Sequence, residues 1–137
     1  GPLPLGRAEG TRAGKAVTVI ATSIEVQRSL AVAEQLAREG IQVEVVDPRT
    51  VVPLDFATLL QSVEKTGRVV IVDQCHKSCG IAAEIAARIA EEGFDKLKAP
   101  IRRVTTPDVP IPFSPPLEEF VTPSEPRIIE AIRSVLG

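Results

Sequence analysis

The chain has 137 residues, 25% of them charged and 44% hydrophobic, with a formal net charge of -2 at neutral pH. That length suits one domain burying more than about 65% of its unfolded surface, and the near-neutral balance gives no electrostatic grip on a phosphate backbone, so nucleic acid is not an expected partner. The longest apolar runs, VTVIA at 17–21 and VVIV at 69–72, fall far short of the roughly 20 residues of a membrane helix, so no membrane span is expected either.

The chain opens Gly1-Pro2 and holds no Met, so residues 1–4 read as a remnant of protease trimming and 5–137 as a single domain cut from a longer protein. Two Cys and no Asn fit a reducing compartment without N-glycosylation, the cytoplasm or a mitochondrial matrix. After the leader, where Leu5–Arg12 is a candidate edge strand, β-branched apolar runs alternate with helical patterns, the signature of a parallel sheet flanked by helices. Strands are expected at Val17–Ala21, Gln42–Asp47, Val69–Asp73 and Ile101–Val104. The first and third are almost continuously apolar, as central strands covered on both faces should be.

Ser23 is placed to cap a first helix on which Val26, Leu30, Ala33 and Ala37 return at helical spacing before Gly40 stops it. Asp55 caps a second, carrying Phe56, Leu59, Leu60 and Val63, up to Gly67. A third starts near Ser78 and aligns Ile81, Ile85 and Ile89, with Ala82, Ala83, Ala86 and Ala87 expected to let it sit close to the sheet, and ends at Gly93. Residues 107–126 hold seven of the twelve prolines and read as a rigid extended arm. A last helix runs from Ser124 through Ile128, Ile129, Ile132, Val135 and Leu136 to Gly137.

The residues that look most like chemistry are CHKSC at 75–79, which gathers both cysteines and the only histidine. A zinc site needs four ligands, or three and water, with paired spacings this cluster lacks. A redox pair favours C-x-x-C, absent here. A nucleophile Cys79 with His76 as base would gain from a helix N-terminus, but no acid obviously orients His76 and no oxyanion pocket can be placed. The preferred reading is a strand-to-helix loop, Cys75, His76, Cys79 and Gly80, whose small residues permit close packing. No G-x-G-x-x-G or G-x-x-x-x-G-K follows a strand, and Glu91-Glu92 and Glu118-Glu119 read as solvated pairs rather than catalytic carboxylates. No catalytic, cofactor-binding or metal residue is therefore assigned, and the rivals left open are a small-ligand or regulatory module using the crevice at Ala21-Thr22-Ser23 and Cys75–Gly80, and a Cys79/His76 hydrolase.

Several segments in order, above all VVDPRTVVPLD at 45–55 and RVTTPDVPIPF at 103–113, resemble the C-terminal domain of the beta chain of thiamine diphosphate-dependent 2-oxoacid dehydrogenases, including pyruvate, branched-chain and acetoin members. The domain superfamily is shared with transketolases. The resemblance covers residues 5–137 and implies a three-layer α/β/α domain with a mixed five-stranded sheet, mostly parallel, whose first, edge strand is antiparallel. It implies no cofactor in this piece: thiamine diphosphate and magnesium would lie between the alpha chain and the preceding domain of the beta chain, and no G-D-G magnesium motif occurs here. The partners implied are an alpha chain and a second beta chain in an α2β2 tetramer, and the peripheral subunit-binding domain of the acyltransferase. Lys77, Ser78 and Cys79 stand where members often have glycines and an arginine, and Gln74 where they often have Glu, which leaves the substrate open. Arg49 and Arg103, Asp108 and Phe113 in the stiff arm, and the terminal Gly137 are the expected interface residues, with an intradomain ion pair for Arg49 and a core position for Phe113 as the competing readings.

Overall fold

The computed structural model describes residues 12–21, 25–47, 56–76, 81–106 and 124–137. Four strands, β1 (Val17–Ala21), β2 (Val43–Val46), β3 (Val69–His76) and β4 (Arg102–Thr106), form a sheet of order β2-β1-β3-β4 in which every strand pairing is parallel. The helices are α1 (Glu25–Ala37), α2 (Phe56–Thr66), α3 (Ile81–Gly93) and α4 (Glu125–Leu136), with a 3-10 turn at Phe94–Lys96. All five residues of β1 and all four of β2 are buried, as expected for a sheet covered on both faces.

Alternation along the strands sorts the core into two halves. Val17, Val19, Val43, Val45, Val70, Val72 and Val104 pack with α1 and α4, while Ile20, Val46, Val69 and Ile71 pack with Phe56, Leu59 and Val63 of α2 and Ile85 and Ile89 of α3. The three-layer α/β/α arrangement is thus present. The mixed five-stranded sheet is corrected to four parallel strands among the described residues. The expected antiparallel strand at 5–12 lies outside them except for Arg12, which makes a single antiparallel bridge to Val45, its N–H 3.2 Å from the Val45 carbonyl and its carbonyl 2.9 Å from the Val45 N–H.

Local chemistry explains the helix ends. After α1, Gly40 takes a left-handed conformation (φ 85°), and the bonds Ile41 N–H to Leu36 O (3.0 Å) and Gly40 N–H to Ala37 O (3.0 Å) form a Schellman stop. Gly67 ends α2 in the same region (φ 70°), and a Cβ there would meet the Lys98 side chain at 2.8 Å. Ser124 caps α4 by accepting from Arg127 N–H, with Pro126 in the first turn. The carboxyl end of α4 is held by Arg68, whose Nε donates to Val135 O at 2.9 Å, and Arg127 reaches back to donate to the Thr105 carbonyl of β4 at 3.0 Å.

The layer between the sheet and α2 contains a buried polar network. Thr18 Oγ1 lies 2.7 Å from both Ser62 Oγ and Thr66 Oγ1. Ser62 and Lys65 donate to the two carboxylate oxygens of Glu44, and Gly14 N–H adds a third bond at 3.2 Å. A Cβ on Gly14 would fall 2.6 Å from the Val43 carbonyl carbon; only glycine lets the incoming chain lie this close to β2.

Candidate functional site

In a doubly wound sheet the natural crevice lies at the carboxyl ends of the strands where the winding reverses. Here β1 leads to β2 on one side and β3 takes the other, so the switch falls between the ends of β1 and β3. The described side chains gathered there are Glu25, Arg28 and Ser29 on α1 and Asp73 on β3. Glu25 has no exposed surface, and it accepts from Arg28, whose Nη1 lies 3.2 Å from Oε1 and 3.5 Å from Oε2. Burial raises the Glu25 pKa above its ordinary value; Arg28 pulls it down by charge and hydrogen bond, and Asp73 pushes it up. Asp73 is itself only 6% exposed, and the buried Ser29 hydroxyl makes no hydrogen bond to a described group.

The strand that carries Asp73 is irregular. Val72 pairs with Val104 but the next pair is His76 with Thr106, so β3 advances four residues while β4 advances two. Such bulges re-aim side chains at sheet rims. They also set Cys75 and His76 on the strand, which extends three residues past the expected Asp73 end, so the loop expected at 75–79 begins later than read. Cys79 and Gly80 lie outside the described residues, as do Arg49, Asp108 and Phe113. Arg103 is a half-buried residue of β4, and Gly137 closes α4 with a positive φ. Of the five expected interface residues, Arg103 and Gly137 are thus the two that lie among the described residues. Among the described residues no three His, Cys, Asp or Glu side chains converge as a metal set, and no helix is long and apolar enough to cross a membrane.

Sequence reasoning missed Glu25, Ser29 and the Glu44 network. Their signal is weak: an acid in a first helical turn reads as favourable to the helix dipole, and a Glu inside a short strand reads as solvent-facing. What the edge offers chemically is a fixed carboxyl–guanidinium pair beside a second buried acid.

Parallel strands wound both ways from β1, helices on both faces and polar groups at the carboxyl edge define a three-layer α/β domain of the doubly wound class. Residues 6–128 match the model of the family described as transketolase, C-terminal domain. The chain belongs to that family. It is 44% identical over 135 residues to the Acetoin:2,6-dichlorophenolindophenol oxidoreductase subunit beta of Bacillus subtilis (strain 168), covering 98% of this chain and 40% of the relative. It is 43% identical over 134 residues to the Pyruvate dehydrogenase E1 component subunit beta of Rickettsia felis, covering 98% of this chain and 41% of that protein. This chain thus spans about two fifths of the length of these relatives. Among solved structures, a split gene transketolase described as an inactive beta4 tetramer matches with a TM-score of 0.78 at 29% identity, over 91% of this chain and 40% of that one. A 2-oxoglutarate:ferredoxin oxidoreductase from Magnetococcus marinus, at 12% identity and a TM-score of 0.61 over 91% of this chain and 18% of that one, shares the fold.

Proposed function

We propose that this chain is the C-terminal assembly domain of the beta subunit of a thiamine diphosphate-dependent acetoin or 2-oxoacid dehydrogenase. In this reading it joins two beta chains, meets an alpha chain in an α2β2 tetramer and offers a surface to the peripheral subunit-binding domain of the acyltransferase core, in the cytoplasm or the mitochondrial matrix. Arg49, Arg103, Asp108, Phe113 and Gly137 are the residues assigned to those contacts. The parent enzyme would use thiamine diphosphate and magnesium held by the alpha chain and by the part of the beta chain that precedes this domain, and would pass the fragment it generates to lipoamide.

The observation that carries this reading is the 43–44% identity, over 98% of the chain, to beta subunits named for acetoin and pyruvate oxidation. The transketolase described as an inactive beta4 tetramer adds that beta chains of a relative associate with one another in an inactive form. Two measurements test the proposal. Calorimetric titration of the chain with thiamine diphosphate and magnesium should give no binding heat, and micromolar affinity would refute the placement of the cofactor elsewhere. Sedimentation of the chain alone should show self-association, and a strictly monomeric chain would refute its part in joining beta chains.

A further inference from the structure

A helix lying on a sheet buries one stripe and turns charge to the solvent, but α3 carries more apolar surface than the described residues of its own domain cover. Ile85 and Ile89 are buried in the cluster shared with α2, and Glu84, Arg88, Glu91 and Glu92 are exposed. Ala83, Ala87 and Ala90, spaced four and three apart and so on one side of the helix, were expected in part against the sheet; instead Ala83 is half-buried and Ala87 and Ala90 are exposed. Directly after the helix, Phe94 is 74% exposed, the exposed large hydrophobic side chain among the described residues.

The alanines lie on the flank away from α2. The Arg88 guanidinium sits 4.0 Å above the Phe56 ring of α2, and by helical geometry the alanine side is turned well round from Arg88, toward β4, the outermost described strand, which α3 also contacts. Arg103 of β4 shares the parity of Ile101, which packs in the α2/α3 half of the core, whereas Val104 packs in the other half. Arg103 therefore stands on the α3 side of the sheet edge. The apolar strip thus has acids, Glu84 and Glu91, along its solvent flank and the cationic residue Arg103 on the sheet edge along its strand flank.

We infer that this strip, Ala83, Ala87 and Ala90 with Phe94 at its foot, is where a second copy of the chain packs, about a two-fold axis running along α3. An axis along the helix turns each copy's acidic flank onto the partner's Arg103 edge, while an axis across it would set acids against acids. Small side chains let the two helices approach closely. The inference rests on the assembly reading above and names its surface.

Sedimentation equilibrium of the full chain and three variants tests it. The unaltered chain is a dimer. Ala87→Glu costs little helix propensity but buries a carboxylate at the centre of the strip, and weakens association roughly a hundredfold or more with an unchanged far-ultraviolet circular dichroism spectrum. Phe94→Ser, which removes an already exposed ring, weakens association without touching the helix. Glu91→Arg weakens it, and adding Arg103→Glu restores it. A dimer indifferent to Ala87→Glu and Phe94→Ser overturns this surface while leaving self-association standing. A charge exchange that does not restore the dimer overturns the axis along α3. A chain that sediments as a monomer throughout overturns both the surface and the assembly reading.

Discussion

Two glutamates are buried among the described residues, and they are satisfied differently. Glu44, between the sheet and α2, receives Ser62, Lys65 and Gly14 as donors. Glu25, at the carboxyl edge, receives one guanidinium and faces a second acid. A buried carboxylate is tolerated to the extent that donors replace its lost water. Glu44 is therefore read as a structural tie linking the entering chain, β2 and α2, while Glu25 stands in a place where the fold leaves charge incompletely offset, which is the more common condition of sites that meet a partner or ligand.

The largest effect that would break this comparison is at Glu44. Glu44→Ala strands the Gly14 N–H and the Ser62 hydroxyl without their acceptor and should cost roughly 3 kcal/mol in a urea titration; a loss under about 1 kcal/mol would mean the network is ornamental. Thr18→Val is next, expected to cost about 1–2 kcal/mol with an unchanged denaturant slope, because the two hydroxyls it bridges keep other partners.

The smallest effect has the opposite sign. Since burial raises the folded-state pKa of Glu25 above its unfolded value, its contribution is fully present below the unfolded pKa of about 4.3 and is lost as pH rises through the folded value. Glu25→Gln should therefore raise the urea midpoint at pH 7, by less than either loss above, and the gain should shrink toward pH 4. A variant destabilised at pH 7, or one whose gain is flat with pH, would show that Arg28 already compensates the charge.

How far the chain could be read in advance depends on which residues carry the signal. β1 falls at Val17–Ala21 as expected because five consecutive apolar or β-branched residues admit no other register. Gly40, Gly67 and Ser124 end or begin helices where turn chemistry says they must. Of the α1 stripe read as Val26, Leu30, Ala33 and Ala37, Val26 and Ala33 are buried but Leu30 and Ala37 only half-buried, and the buried face widens to Val32 and Leu36 with Glu25 and Ser29 beside them. Pattern reading assigns Glu and Ser to solvent, and tertiary packing overruled it. On α3 the reverse occurred, as alanine is compatible with either environment and Ala87 turned outward. The extension of β3 through His76 was hidden because Gln74, Cys75 and His76 have no apolar alternation, and only the ladder with Thr106 draws them into the strand. Candidate contacts at Arg49, Asp108 and Phe113 came from resemblance alone and lie outside the described residues.

The guanidinium of Arg127 on the Thr105 carbonyl has a consequence for growth of the sheet. An unguarded outer strand is a template on which foreign backbone can polymerise; a side chain already seated on that rim, reinforced by the neighbouring Arg102 to Ser134 bond, makes addition of another ribbon less favourable. Among the described residues β4 is the outermost strand, and this seating favours contact between copies through side chains over a shared ladder.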